Sequence, residues 1–270
     1  MSKFFTAEIV CNTFTHQKAC DFSETTRLNS QFKLLTLQPV PEIIAPEPGQ
    51  FYMIQTGTAS DPLLKRPFSI YSMQHNRLGF IYRIRGKGTT SLSQLREGDM
   101  LQVIGPLGNS YPEPDGDFIA VAGGVGIASL LPFMRKYEKH AYLFYGAMNS
   151  DELVMLEEAR QLSKEIFITT DNGSDGQSGR VTNAVRDFIG ESLVTPPEAG
   201  ALPVYSCGPT AMLKALSQIT RAAGLICYAS LEEHMACGIG ACLGCMVKTV
   251  AGQKRICKEG PIFNLEDIVW

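Results

Sequence analysis

The sequence predicts a multidomain β plus α/β chain in three parts: an antiparallel β-barrel over residues 1–112, a doubly wound parallel-sheet α/β domain over residues 113–226, and a small cysteine module over residues 227–270. Three observations predict this organisation. Short β-rich runs separated by turns fill the first part. Strand and helix patterns alternate in the second. Four closely spaced cysteines occur in the third.

The barrel prediction rests on regular short strands. β-rich runs occupy residues 32–37, 51–54 and 80–84, and turn sequences such as Pro-Glu-Pro-Gly at residues 46–49 separate them. Short strands with such turns are typical of a closed antiparallel barrel rather than of βαβ units.

The α/β prediction begins after a Pro- and Gly-rich linker at residues 112–116. Residues 118–122 form an uninterrupted apolar run, as expected for a strand buried on both faces of a parallel sheet. Apolar residues then recur with helical spacing at Ile127, Leu130 and Met134. The alternation continues through further predicted strands and helices, namely strands at 141–145, 165–169 and 201–205 and helices at 151–163, 181–189 and 210–222.

Two turns in this domain favour a nucleotide site. Gly124-Val125-Gly126 and Cys207-Gly208-Pro209 each follow a predicted parallel strand, so both lie at the carboxyl edge of the sheet. There the glycine backbone can approach a pyrophosphate at a helix N-terminus. Ser129 replaces the third glycine of the usual motif, so the first turn by itself also fits a plain tight turn. Cys207 by itself also fits a small buried apolar residue.

The cysteine module predicts a metal cluster. Cys237, Cys242, Cys245 and Cys257 follow the pattern C-x4-C-x2-C and then a fourth cysteine after eleven residues. The opening spacing is that of plant-type [2Fe–2S] ferredoxins. A structural zinc site and inert thiols are the alternatives, but zinc sites normally use two separated cysteine pairs. Eight cysteines in 270 residues are too sparse for a disulfide framework.

The most distinctive stretch of the barrel is Arg66-Pro67-Phe68-Ser69. An arginine can pair with a phosphate through two parallel hydrogen bonds, and a serine can bond to the polar edge of a ring. Taken alone, Arg66 also fits a solvated charge at a strand end.

Together these motifs resemble a known family. Arg-Pro-Phe-Ser, Gly-Gly-Val-Gly and Cys-Gly-Pro, in this order, resemble the ferredoxin–NADP reductase superfamily over residues 1 to about 225. With the cysteine module, the whole chain resembles the electron-transfer subunits of NAD-dependent dihydroorotate dehydrogenase. The resemblance implies three cofactors: FAD, one [2Fe–2S] cluster and NAD(H). It also implies an oxidoreductase role in pyrimidine biosynthesis, in which dihydroorotate oxidation is coupled to NAD⁺ reduction.

The resemblance also implies a role for each matching residue. It implies that FAD is bound by Arg66, Pro67, Phe68, Ser69, Ile81, Tyr82, Arg83, Gly88 and Thr89, and that NAD is bound by Gly124, Val125, Gly126, Cys207, Gly208 and Pro209. Within the NAD group, Cys207 would position the nicotinamide and would not act as a nucleophile. The cluster ligands would be Cys237, Cys242, Cys245 and Cys257.

NAD(H) is favoured over NADP(H) by Asp171. It ends a predicted strand where NADP-specific relatives place a phosphate-binding Ser-Arg pair. A carboxylate there would accept a hydrogen bond from a ribose 2′-hydroxyl and repel a 2′-phosphate. An exposed turn aspartate without that role is the alternative.

The expected partner is a catalytic flavoprotein subunit, an FMN-containing dihydroorotate dehydrogenase, in a heterotetramer, because the chain has no recognisable dihydroorotate site. Small subunits of NADH-dependent reduced-ferredoxin:NADP oxidoreductase and of sulfide dehydrogenase share the same build and are the first alternative. A ferredoxin-like carrier or regulatory subunit with a non-working nucleotide site is the second.

Composition narrows the partners and the location. A net charge of −3 and a sequence pI of 5.9 provide no basic face for nucleic acid or for an anionic membrane. The apolar runs are shorter than a membrane span, and the N-terminus lacks a signal-peptide pattern. We therefore expect a cytoplasmic protein without nucleic-acid or membrane partners.

Overall fold

The computed structural model describes residues 3–14, 31–57, 61–194 and 202–270. Its first sheet has seven antiparallel strands in the order β4-β3-β7-β1-β2-β6-β5, with one helix before the last strand in sequence. The elements are β1 (Phe4–Thr13), β2 (Phe32–Pro39), β3 (Phe51–Ile54), β4 (Arg66–Ser69), β5 (Ser72–Gln74), β6 (Arg77–Arg83), α1 (Lys87–Gln94) and β7 (Met100–Leu107). The predicted antiparallel architecture of this part is confirmed, but among the described residues the hydrogen-bond ladders do not close it into the predicted barrel.

The barrel has a seam between its two edge strands. Among the described residues, no ladder of hydrogen bonds joins β4 to β5, although the two strands are adjacent in sequence. Pro67 lies in β4 and pairs with Met53 of β3. A proline has no N–H for a ladder, so it is tolerated at a sheet edge. The Arg-Pro-Phe-Ser motif therefore lies on an edge strand whose outer side is available to a ligand.

The second sheet is parallel apart from its last strand, in the order β11-β10-β9-β8-β12-β13-β16. The strand order reverses at β8, which lies between β9 and β12. In open α/β sheets a ligand binds at such a switch point, beyond the carboxyl ends of the strands. The elements are β8 (Phe118–Gly123), α2 (Ile127–Lys136), β9 (Ala141–Ala147), α3 (Leu156–Leu162), β10 (Ser163–Thr170), β11 (Gln177–Ser178), α4 (Val181–Val194), β12 (Val204–Cys207), α5 (Thr210–Ala222) and β13 (Cys227–Ser230).

The cysteine segment interrupts this sheet. It comprises β14 (Met246–Thr249), β15 (Gly252–Arg255), α6 (Ile256–Glu259) and β16 (Ile262–Asn264). Because β16 pairs with β13, the cysteines lie in an excursion between two neighbouring strands of the sheet. The excursion thus begins and ends beside the predicted nucleotide edge. The boundaries 1–112, 113–226 and 227–270 stay a prediction based on chain order.

The two large units pack against each other through apolar and charged contacts. Tyr71 of the barrel belongs to the same buried cluster as Ile127 of α2. The hydroxyl of Tyr71 donates to Glu158 at 2.6 Å, and Arg135 pairs with the same carboxylate. Within the described part of the chain, no helix is long and apolar enough to cross a membrane.

Candidate functional site

The two predicted nucleotide turns are in direct contact. A Cβ added at Gly126 would lie 2.4 Å from the carbonyl oxygen of Cys207, and one at Gly123 would lie 2.6 Å from Cδ of Pro209. Only glycine permits this approach. Gly124–Gly126 forms a 3₁₀ turn that leads into α2, and Pro209 caps α5. Two helix N-termini therefore flank the end of β8, which is the arrangement that binds a dinucleotide phosphate. The residues present fit NAD(H).

Cys207 lies beneath these turns as a neutral thiol. It is almost fully buried at the end of β12. Burial, with a smaller contribution from Glu232, raises its pKa to about 12. The thiol stays protonated near neutral pH, so it is no thiolate nucleophile. The hydroxyl of Tyr111, also buried, lies 3.3 Å from Ser129 Oγ and donates to the carbonyl oxygen of Ser206. This packed polar layer holds the two turns in place.

Asp171 lies on the same edge but farther from the switch point. It is exposed and follows β10, which is separated from β8 by β9. Its backbone N–H donates to the carbonyl oxygen of Ala147 at the end of β9. That position lets the carboxylate face outward beyond the strands, where the ribose of a nucleotide could reach it. Its role in NAD selection stays a prediction.

Glu232 also lies at this edge, and sequence reasoning missed it. It lies two residues beyond the end of β13, where Ser230 pairs with Cys207 at the end of β12. The side chain is exposed, and the protein atoms around it reduce its hydration. The loss of hydration raises the pKa of its carboxyl group, and the charge of Arg85 opposes the rise. Arg85 precedes α1, so Glu232 lies where the barrel approaches the nucleotide edge.

We expect Glu232→Gln to raise the melting temperature of the apoprotein near pH 7. A carboxyl whose folded pKa is raised favours the protonated form, so its ionisation destabilises the fold. The gain should shrink as the pH falls through that raised pKa towards the ordinary value of 4.5. Thermal melts between pH 4 and pH 8 check this, with the exposed neighbour Glu233→Gln as the control. A pH-independent difference would contradict it.

The flavin motif of β4 lies against the start of α1. A Cβ at Gly88 would lie 3.2 Å from Nε of Arg66 and 3.3 Å from the buried hydroxyl oxygen of Thr56. Thr89 accepts hydrogen bonds from the N–H groups of Arg85 and Gly86, and this shapes the turn. Since the first amides of a helix have no partner within it, an arginine and a helix N-terminus converge here. This donor set fits the diphosphate of FAD.

The other predicted flavin residues have different surroundings. Phe68 packs edge-on against Tyr82, with ring centroids 5.8 Å apart. Tyr82 points into the barrel, where its hydroxyl donates to Asn12, so only its main chain is available to FAD. Ile81 is buried against the α/β domain. Arg83 pairs with Glu152 of that domain at 2.8 Å. The structure thus brings Arg66, Gly88 and the edge strand together but uses the side chains of β6 mainly in packing.

The four cysteines form two pairs. Cys237 and Cys242 are in hydrogen-bonding contact, and so are Cys245 and Cys257. The N–H of Cys242 donates to the sulfur of Cys237 at 3.4 Å. Burial raises the pKa of Cys237, but amides of Cys242, Ile239 and Ala241 outweigh it and lower the pKa overall. Amides directed at sulfur are the donors that stabilise thiolates bound to a cluster.

The arrangement of the thiols in two pairs distinguishes between the zinc hypothesis and the iron–sulfur hypothesis. A zinc ion needs four ligands around a single centre. In a [2Fe–2S] cluster each iron takes two protein ligands. Two pairs of thiols therefore fit the cluster better than zinc.

The cysteine loop is seated on the barrel. A Cβ at Gly238 would lie 2.5 Å from Cγ of Met53 on β3 and 3.3 Å from Cδ1 of Leu107 on β7. Met53 also pairs with Pro67 of the flavin motif. One strand thus separates the cysteine loop from the Arg-Pro-Phe-Ser edge. No periodicity in the sequence signalled this contact.

Two family descriptions match the chain. "Iron-sulfur cluster binding domain of dihydroorotate dehydrogenase B" matches residues 232–269, and "Oxidoreductase NAD-binding domain" matches residues 120–218. A protein of Caldanaerobacter subterraneus named dihydroorotate dehydrogenase B (NAD(+)), electron transfer subunit, is 41% identical over 83% of this chain and 88% of its own length. The chain belongs to this family of electron transfer subunits. A homologue in Aquifex aeolicus is 35% identical over 91% of this chain and 96% of its own length.

Solved structures agree with the family. An NADH-dependent reduced ferredoxin-NADP oxidoreductase, described for flavin-based electron bifurcation, is 26% identical, with a TM-score of 0.80 over 98% of this chain and 90% of the other. A ferredoxin NADP+ reductase of Neisseria gonorrhoeae, solved with FAD and NADP, shares the fold, with a TM-score of 0.62 at 18% identity over 83% of this chain and 93% of the other. The predicted fold, the oxidoreductase class and the iron–sulfur and NAD(H) cofactors are confirmed for this electron transfer subunit, and the shared fold is consistent with the predicted FAD.

Proposed function

We propose that this chain passes electrons between NAD(H) and a catalytic partner that oxidises dihydroorotate, so that the oxidation is coupled to NAD⁺ reduction in pyrimidine biosynthesis. The partner is an FMN-containing dihydroorotate dehydrogenase, the assembly is a heterotetramer, and the location is the cytoplasm. The observation that carries the proposal is the contiguity of the three sites. The cysteine loop leaves the sheet beside the nucleotide edge and rests on the strand that pairs with the flavin motif.

The chain's own residues bind and orient the cofactors. Arg66 and the N-terminus of α1 hold the FAD diphosphate, and the paired turns at Gly124–Gly126 and Cys207–Pro209 hold the nicotinamide nucleotide. Cys237, Cys242, Cys245 and Cys257 hold the cluster. When bound, the flavin and nicotinamide supply hydride exchange and the cluster supplies single-electron storage. Buried Cys207 supplies a neutral thiol at the end of β12, which would position the nicotinamide without adding a charge.

The surface around the cysteines supports a docking role. Ile239 and Leu243 are large apolar residues with 48% and 58% of their surface exposed, and Cys242 between them is also exposed. Ala236 is exposed and Met235 is half-buried in the same loop. Exposed apolar side chains next to a redox centre favour a partner interface at this point.

Anaerobic co-purification of the chain with its partner, followed by assay, tests the proposal. The complex should reduce NAD⁺ with dihydroorotate, and the chain should show flavin and iron–sulfur absorption. If the complex uses reduced ferredoxin or sulfide but not dihydroorotate, the alternative subunit families gain support and this partner is wrong. The structural likeness to the NADH-dependent reduced ferredoxin-NADP oxidoreductase makes that the second candidate. A chain without flavin bands would contradict the reductase function itself.

We expect Arg66→Ala to weaken FAD binding by roughly 10- to 100-fold, because a charge-assisted bond to phosphate contributes about 1.5–3 kcal/mol. Fluorescence titration of the deflavinated protein with FAD measures this. Iron content should stay at the wild-type value, since the Arg66 guanidinium donates to the carbonyl oxygens of Leu64 and Lys65 rather than to the cysteine loop. Lys65→Ala, one residue earlier and half-buried like Arg66, is the matched control. Equal losses in both variants would contradict a specific role for Arg66.

A further inference from the structure

Arg255 and Glu259 form a two-residue clasp, and it lies between the two segments that carry the cysteines. The carboxylate of Glu259 accepts from Nε of Arg255 at 3.1 Å, from its Nη2, and from its backbone N–H at 2.7 Å. The remaining nitrogen, Nη1, donates to the carbonyl oxygen of Gly240 at 3.1 Å. One guanidinium therefore joins α6, which carries Cys257, to the loop that carries the other three cysteines.

The bond to Gly240 has a direct consequence for a cluster ligand. Gly240 lies in the left-handed region, with φ of 81°, and its N–H is directed at the sulfur of Cys257. The N–H and the carbonyl of Gly240 lie on the two peptide planes that meet at this residue, so the bond from Arg255 restrains the turn that presents the N–H to the sulfur. A hydrogen bond to a ligating sulfur is one of the features that set the potential of an iron–sulfur centre.

The clasp also places charge beside the pair formed by Cys245 and Cys257. The guanidinium lies within electrostatic reach of the sulfurs of Cys257 and Cys245, which are both almost fully buried. The side chains of Arg255 and Glu259 are only 28% and 29% exposed, so solvent screens their charges incompletely. Among the described residues, this is the one ion pair within the cysteine segment.

We propose that Arg255 and Glu259 position the cluster loop and set the reduction potential of the cluster, with Arg255 raising the potential and Glu259 lowering it. The inference rests on the proposed function, in which the four cysteines hold a [2Fe–2S] cluster. Reduction adds one electron and one negative charge to the cluster. A nearby positive charge stabilises the reduced form and a nearby negative charge destabilises it. The two members of the clasp therefore act in opposite directions.

Redox titration of the full chain, purified anaerobically and followed by electron paramagnetic resonance, tests this. Arg255→Gln should shift the midpoint potential to a more negative value, and Glu259→Gln should shift it to a more positive value. Arg255→Lys keeps the positive charge but loses the guanidinium that bonds to both Glu259 and Gly240. Its potential should stay closer to the wild-type potential than that of Arg255→Gln. Lys248→Gln removes a positive charge from the exposed face of β14 and is the control, expected to change the potential least.

Iron and labile sulfide are assayed on every variant. Shifts of the same sign in both Gln variants, or none with full iron content, would overturn the proposal. If Arg255→Gln lost its cluster on purification, Glu259→Gln and Arg255→Lys would decide, and an unshifted Glu259→Gln would overturn it. A wild-type chain that holds no cluster would instead refute the proposed function.

Discussion

Cys242→Ser should abolish electron transfer to the catalytic partner while NADH still bleaches the FAD. Cys242 is the exposed member of the pair that it forms with Cys237, and its N–H and thiol both contact Cys237. A serine hydroxyl is a harder and far more weakly acidic ligand than a thiol, and iron–sulfur clusters select thiolates. Iron content and anaerobic stopped-flow spectra at flavin wavelengths measure the two parts of the expectation.

The matched control is Cys227→Ala. Cys227 is a buried thiol on β13, outside the cysteine loop, so its loss should leave the iron content unchanged. If Cys242→Ser also prevented bleaching by NADH, the order of the relay would be wrong. If the variant kept a full cluster and full transfer to the partner, Cys242 would be no ligand.

Gly126→Ala should weaken NADH binding about tenfold or more and destabilise the fold by about 1–3 kcal/mol. The new Cβ would lie 2.4 Å from the carbonyl oxygen of Cys207, a distance that forces the two nucleotide turns apart. Backbone strain is not the cause, because Gly126 has an ordinary helical φ of −57°. NADH titration of the FAD-loaded protein and urea unfolding measure the two effects.

Gly190→Ala is the control for this substitution. Gly190 lies in α4 of the same domain with nothing within 4 Å of the added Cβ. Alanine should stabilise that helix by about 0.5–1 kcal/mol and leave NADH binding unchanged. A Gly126→Ala variant with wild-type NADH affinity would show that the close approach of the turns is unimportant for the nucleotide.

Strands and helices were the most predictable features. The strand predicted at residues 51–54 and the helix predicted at residues 210–222 match β3 and α5 at both ends. The helix predicted at residues 151–163 is instead a 3₁₀ turn at Ser150–Glu152 followed by α3 (Leu156–Leu162). Met155 between them adopts a left-handed backbone, which no periodicity of apolar residues reports. Part of the strand predicted at residues 201–205 lies outside the described residues.

The positions of some predicted site residues could be inferred from the sequence, and the surroundings of others could not. Gly124–Gly126 and Cys207–Pro209 were assigned to one edge because parallel strands end together, and the structure places them in contact. Tyr82 and Arg83 had the right motif, but their side chains bond to Asn12 and Glu152. A motif records chemistry along the chain, whereas the direction of each side chain depends on which face of the sheet the neighbouring domain covers.

In the cysteine module, the proximity of the ligands follows from their spacing in the sequence, but the packing of the module does not. Short spacing obliged Cys237, Cys242 and Cys245 to lie together, so their chemistry could be read from the chain. Gly238 lies against Met53, Arg85 lies near Glu232, and Arg255 bonds to Gly240. These residues are distant in sequence or belong to no motif. Such contacts arise only when β13 and β16 pair and return the excursion to the barrel. Packing between separate segments therefore decided where the cluster loop rests, how its charge is balanced and which surface it presents to a partner.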